Sequence, residues 1–205
     1  MKTFYFMAGL PRSGSTLLST LLNQNPRIYS GPSSPVLGAM YATHDNFQSN
    51  ELYTGYPKPN QVNEIIGSVI EHWYSDIDKP VVIDKNRAWC ARVPFIEGYI
   101  KQEAKIIVPV RRIDEILASI LTMIKRNPFQ EGQPRINFVD EYLVKSNTPI
   151  NDETRCQHLL NPDGIIWEAL NATKLGVDEG HSDKFLFVDY IDSKSTQLRI
   201  KTDAL

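Results

Sequence analysis

Gly9-Leu10-Pro11-Arg12-Ser13-Gly14-Ser15-Thr16 lies between an apolar run, Phe4-Tyr5-Phe6-Met7-Ala8, and a second one, Leu17-Leu18-Ser19-Thr20-Leu21-Leu22. The first run suits a buried strand and the second a helix, so the glycines bound a turn from strand to helix. That arrangement gathers backbone N–H groups around a phosphate at a helix N-terminus. The spacing from Gly9 to Gly14 matches the start of a Walker A loop, whose next two residues are Lys and then Ser or Thr. Here they are Ser15 and Thr16. The lysine that would reach the β- and γ-phosphates of a nucleoside triphosphate is missing, and a cation stands earlier, at Arg12. The loop therefore suits a phosphate-like group and departs from an ATP site.

The rest of the chain is that of an ordinary globular domain. Its 205 residues fit one domain, 1–205, with 41% hydrophobic and 22% charged residues. A net charge of −2 and a pI near 6.1 argue against a general nucleic-acid or anionic-membrane binder, so any anion site must come from local placement of cations. Cys90 and Cys156 stand far apart with no paired neighbour, which argues against a zinc site or a disulfide scaffold and suits a cytoplasmic protein. The first seven residues read as a core strand, not a secretory leader, because the apolar run is short and ends in Pro11-Arg12. No segment approaches the ~18 apolar residues of a membrane span.

Periodicity predicts alternating strands and helices. Residues 25–35, rich in Pro, Gly and Ser, read as a loop, 35–47 as a weakly patterned helix, and 49–60 as irregular. Val62, Ile65, Ile66, Val69, Ile70 and Trp73 form a helical stripe, and Val81-Val82-Ile83 a short buried strand. A helix over 88–101 then leads to the strand Ile106-Ile107-Val108-Pro109-Val110. After Arg111-Arg112 a strong helical stripe runs from Ile113 to Ile124, residues 134–177 read as mostly helical, and Phe185-Leu186-Phe187-Val188 as a last strand. Continuous β-branched runs suit parallel strands buried on both faces. The expected fold is α/β, a three-layer α/β/α domain with a central parallel sheet. Ligands of such sheets sit at the carboxyl ends of the strands, where the opening loop, Asp84–Arg87 and Arg111-Arg112 would converge.

Arg111 stands at a strand-to-helix junction and Ser119 lies off the apolar stripe of the helix that follows. Together they could hold a second phosphate, or Arg111 could serve a surface ion pair and Ser119 a solvated face. Here the sequence resembles the sulfotransferases that use 3′-phosphoadenosine 5′-phosphosulfate (PAPS), a family with a fold like that of the P-loop nucleoside triphosphate hydrolases. Gly9 through Leu18 resembles the family's 5′-phosphosulfate loop, and Val110 through Ser119 its 3′-phosphate segment, in which an Arg and a Ser bind that phosphate. The wording is closer to the tyrosylprotein and carbohydrate branches, and to small bacterial and phage proteins of this type, than to the phenol and steroid branch. The likeness covers residues 3 to 126 best.

The resemblance implies sulfuryl transfer from PAPS to a hydroxyl or amine of a small-molecule or glycan acceptor, without a metal. It implies cofactor contacts from Arg12, Ser13, Gly14, Ser15, Thr16, Arg111 and Ser119, and catalytic roles for Arg12 and Lys85, the latter stabilising the leaving group. A strand-end lysine directed to solvent is the structural alternative for Lys85. The phenol branch places a His base where this chain has Arg87, and the tyrosylprotein branch a Glu near Ser33-Ser34-Pro35; neither is present. Asp84, His44 and Glu51 remain as base candidates, while His72 and His158 read as structural or exposed. Val188-Asp189-Tyr190-Ile191-Asp192 begins the family's usual turn after its last strand, and the polar stretch Ser193–Gln197 before Leu205 suggests a shortened end. The alternatives are a small P-loop kinase, which Ser15 disfavours, and a sulfotransferase fold kept as a nucleotide- or protein-binding module. Acceptor and oligomeric state are not legible.

Overall fold

The computed structural model describes residues 2–130 and 137–190. Five parallel strands form one sheet in the order β2-β3-β1-β4-β5: β1 Thr3–Met7, β2 Ile28–Ser33, β3 Val81–Lys85, β4 Ile106–Val110 and β5 Phe185–Asp189. Flanking helices make this the expected three-layer α/β/α arrangement. Alternation along the strands divides the core. Phe4, Phe6, Val82, Ile106 and Val108 face one cluster, formed with α2 (Val36–Ser49), α4 (Pro59–Trp73) and the segment after β3. Met7, Ile83 and Ile107 face the other side, covered by Leu18 and Leu22 of α1 (Ser15–Leu22). Because β1 is central and the chain passes first to β2 and β3, then across to β4, the carboxyl end of β1 is a topological switch point.

Pro109 marks where β4 parts from β1. Phe6 N–H bonds the Lys105 carbonyl and Ala8 N–H the Ile107 carbonyl, so the odd residues of β4 address β1. The next rung of this parallel ladder would run from an N–H at 109 to the Ala8 carbonyl; proline lacks that donor, and the β1–β4 pairing stops there. Gly9 (φ 105°) passes so close to this proline that a Cβ would lie 2.9 Å from the Pro109 carbonyl oxygen.

Three expectations are corrected. Residues 28–33, predicted as loop, form the edge strand β2; its sequence hides this because only Ile28 and Ser30 are buried and Gly31-Pro32 breaks the pattern. The stretch 49–60 contains a short helix, α3 (Glu51–Gly55), capped by the Asn50 side chain, and the start of α4. The single helix predicted over 88–101 is three short pieces: a 3₁₀ turn Trp89–Arg92, α5 (Val93–Phe95) and a π turn Ile96–Ile100. Pro94 and Gly98 interrupt the ladder, and Lys101 ends it at φ 56°. Among the described residues no helix is long and apolar enough to cross a membrane. The expectations for residues 191–205 lie outside the described residues.

Helices α6 (Ile113–Arg126), α7 (Phe138–Lys145), α8 (Asp152–Leu160) and α9 (Ile165–Asp178) enclose a second apolar cluster centred on Ile116, Ile120, Leu143 and Leu159. Asp140 locks it: Arg155 donates Nε and Nη2 to its two oxygens, both at 2.8 Å, and Asn137 donates at 2.9 Å. Burial by itself would raise the Asp140 carboxyl, but these bonds outweigh it and hold the group below its ordinary value. A depressed native value stabilises the fold above the unfolded carboxyl value of ~3.9, and that contribution is lost as pH falls through the lower native one. Asp140→Asn should therefore lower the melting temperature at pH 6, by about 3 kcal/mol of stability, with the gap from wild type narrowing below pH ~4. A gap that stays constant down to pH 3 would rule this out.

Candidate active site

The loop after β1 presents its backbone. Gly14 caps α1 in the left-handed conformation (φ 97°) with no side-chain cap, and the first turn holds no acidic residue. Ser13 is buried, its hydroxyl donating to the Leu10 carbonyl at 2.7 Å, which fixes the turn. No hydrogen bond among the described residues uses the N–H groups of Gly14, Ser15 or Thr16. These orphan donors, at the positive end of α1, fit an anion.

Arg12, itself at φ 61°, does not fold back over that helix end. Its Nε bonds the Ser119 hydroxyl on α6 at 3.1 Å. Arg111 donates Nη1 to the Arg12 carbonyl at 3.1 Å and Nε to Glu115 at 2.8 Å, so the expected ion pair exists but within the site. Arg12, Arg111, Glu115, Ser119 and Arg126 line a groove of about 550 Å³. Tyr190, just past β5, packs against both Arg111 and Gly14: the Arg111 guanidinium lies 4.1 Å from its ring centroid, and a Cβ on Gly14 would fall 2.5 Å from the ring. Gly14→Ala should thus meet both a forbidden φ and a clash, costing about 1–3 kcal/mol and weakening anion binding. Removing the clash with Tyr190→Ala should recover only part of the stability in thermal melts, because the φ strain persists. Full recovery would contradict the backbone account.

Lys85 ends β3 and is only 8% exposed, which overturns the solvent-directed alternative. Its ammonium has no hydrogen bond or ion pair among the described residues, and burial pushes it below its ordinary value. It shares a cavity of about 430 Å³ with Thr16, Thr20, Asn23, Tyr29 and Gly31. A second, apolar cavity of about 370 Å³ lies at the opposite, amino ends of the strands, away from this chemistry.

The base candidates separate. Asp84 is 0% exposed and accepts hydrogen bonds from Ser34 Oγ, Tyr74 Oη (2.8 Å) and Trp89 Nε1 (2.7 Å). His44 packs edge-on to Phe95 and Tyr99 and bonds Asp45 at 2.9 Å, while Glu51 is an exposed first-turn residue of α3. Neither lines the groove or the Lys85 cavity. His72 is exposed with Nδ1 on the Ser68 carbonyl, His158 is buried against Tyr142, and Arg87 is exposed.

Comparison with known proteins follows this layout. The profile of the sulfotransferase family matches residues 5–159, which span the loop, Lys85, Arg111 and Ser119. The chain belongs to the sulfotransferase family. A comparison with curated protein sequences finds no match. Among solved structures, the sulfotransferase domain of the curacin biosynthetic pathway superposes with a TM-score of 0.54 at 13% identity, over 94% of this chain and 68% of that one. A sulfotransferase from Alicyclobacillus acidocaldarius gives 0.50 at 12%, over 94% and 74%. The sulfotransferase domain of the Synechococcus PCC 7002 olefin synthase gives 0.48 at 19%, over 93% and 67%. At these identities the likeness speaks to fold alone.

Sequence reading did not place several groups at or near the groove. Tyr190 lies beyond the matched segment; the sequence placed it in the turn after the last strand but gave no sign of its contact with Arg111. Glu115 and Arg126 share the helix of Ser119, at i−4 and i+7, and so fall on one face with it. Ser34, which bonds Asp84 and does not line the groove, stood in the sequence only within the stretch where the tyrosylprotein branch keeps a Glu.

Proposed function

We propose that the protein transfers the sulfuryl group of PAPS to a hydroxyl or amine of a small-molecule or glycan acceptor. The observation that carries this reading is the pairing of two anion sites through one residue: Arg12 joins the loop of orphan N–H groups to the groove of Arg111 and Ser119. A 5′-phosphosulfate fits the helix end and a 3′-phosphate the guanidinium-lined groove. PAPS supplies the activated S–O bond; the chain supplies position and charge. N–H groups of Gly14, Ser15 and Thr16, with the last two hydroxyls, hold the phosphate end and stabilise charge that grows on it. Lys85, unpaired and desolvated, adds a cation beside Thr16, and an anion there favours its charged form. Arg12, Arg111 and Ser119 orient the nucleotide for in-line displacement.

Incubation with ³⁵S-labelled PAPS and a panel of phenols, alcohols, amines and glycans should move label to an acceptor, with no phosphate transfer from ATP and Mg²⁺. The second reading, a nucleotide-binding module, draws on the absence of His, Asp or Glu from the lining of the Lys85 cavity. It predicts bisphosphate binding with no label moved, and ATP-dependent phosphate transfer would instead favour a kinase.

A further inference from the structure

A sulfuryl acceptor must lose a proton as its oxygen bonds to sulfur, and no side chain lining the Lys85 cavity is an obvious base. One carboxylate lies immediately behind it. Successive strand residues face opposite sides, so Asp84 turns away from the cavity of Lys85 into the large apolar cluster. Of its three donors, Trp89 and Tyr74 are sealed inside that cluster, at 0% and 4% exposure. Ser34 is different. It is half-buried, stands at the carboxyl end of β2, and bonds the Lys85 carbonyl through its own N–H at 3.0 Å. Its hydroxyl donates to the buried carboxylate and accepts the Val36 N–H at 3.3 Å, which leaves one lone pair, at the carboxyl end of the sheet where ligands of such folds bind.

We propose that Ser34 and Asp84 form a proton relay, in which the Ser34 hydroxyl takes the acceptor's proton and passes its own to Asp84. The inference rests on the sulfuryl-transfer reading. The acceptor O–H proton moves to Ser34 Oγ, and the Ser34 proton moves to Asp84 Oδ2. The electron pair left on the acceptor oxygen forms the new O–S bond while the S–O bond to the donor's phosphate breaks. After product leaves, the proton returns from Asp84 through Ser34 to water, so the cycle needs no other reactant. Ser34 is the residue that touches the acceptor; Asp84 acts through it.

A folding role alone accounts poorly for Asp84. No cation among the described residues pairs with it, and a buried carboxylate held only by neutral donors is a costly substitute for an apolar or amide side chain. Burial raises its carboxyl, against the pull of Ser34, Trp89 and Tyr74, which makes it the better proton acceptor. The groups facing it are few. β1 presents Phe6, the residue after β2 is Ser34, the residue after α4 is Tyr74 with Tyr29 behind it, and the 3₁₀ turn presents Trp89. Tyr74 is itself pushed well above the ordinary tyrosine value, first by burial and then by Asp84, so of the groups in this cluster Asp84 is the one that takes up a proton as pH falls.

The experiment is single-turnover release of labelled inorganic sulfate from ³⁵S-PAPS with water as the acceptor, for wild type, Ser34→Ala, Ser34→Thr and Asp84→Asn. Calorimetry with adenosine 3′,5′-bisphosphate accompanies each. Ser34→Ala should slow release about 100-fold, abolish the acid limb of the pH profile and the solvent deuterium isotope effect, and leave bisphosphate affinity within a few-fold. Ser34→Thr should restore the rate. Asp84→Asn should match Ser34→Ala; where melting shows it unfolded, the Ala and Thr variants decide between them. Ser34→Ala that melts earlier but turns over like wild type overturns the relay and leaves sulfuryl transfer standing. Wild type that binds bisphosphate yet moves label neither to water nor to any acceptor of the panel overturns relay and transfer together, and failure to bind bisphosphate overturns the nucleotide site itself.

Discussion

Replacing Lys85 with methionine should lower the rate of sulfuryl transfer about 100- to 1,000-fold while changing affinity for adenosine 3′,5′-bisphosphate only a few-fold. The magnitude is that of removing one preorganised donor from the place where charge develops, about 2.7–4 kcal/mol. The separation of rate from affinity follows from position. Lys85 lies in the Thr16 cavity, not in the groove of Arg111 and Ser119, and its ammonium has no partner to lose among the described residues. Methionine keeps the unbranched apolar stem that the 8%-exposed site encloses, so the fold should tolerate it. Single-turnover kinetics with labelled PAPS and calorimetry on the same preparation measure both quantities. A variant that loses affinity and rate in equal proportion would place Lys85 in ground-state binding instead.

Arg111→Ala should weaken bisphosphate binding by about 3 kcal/mol, roughly 100-fold, and steepen no salt dependence in compensation. Three contacts go at once: the bond to the Arg12 carbonyl, the pair with Glu115, and the face of Tyr190. The first matters beyond charge. It fixes the carbonyl of a non-glycine residue held at φ 61°, and Arg12 in turn reaches Ser119, so the groove loses its geometry along with its cation. Adenosine 5′-monophosphate, which lacks the 3′-phosphate, provides the control. Its affinity should fall far less than that of the bisphosphate, and an equal fall for both nucleotides would show that Arg111 does not read the 3′-phosphate.

How much of this was legible depended on what each residue's pattern could encode. β1, β3 and β4 could be read because continuous apolar runs have few other uses, and the phosphate loop because glycine spacing states a backbone shape directly. β2 could not, since an edge strand of sequence Ile28-Tyr29-Ser30-Gly31-Pro32-Ser33 buries little and carries turn residues. Arg111 and Ser119 were legible as a family pattern, but the turn of Arg12 toward α6 was not, because side-chain direction from a left-handed arginine has no sequence signature. Lys85 and Asp84 were legible as candidates, but their burial was not. Charged residues at a strand end ordinarily mark its exit to water, yet both are buried, one unpaired and the other held by three neutral donors. Tyr190 depended on a long-range meeting of β5 with the first loop.

Calorimetric titration of the wild-type protein with adenosine 3′,5′-bisphosphate tests the central claim most directly, since it asks whether loop and groove form one nucleotide site. One bisphosphate should bind per chain, with an affinity well below millimolar that weakens as salt is added. No heat at millimolar bisphosphate, in a protein shown by melting to be folded, would contradict the account.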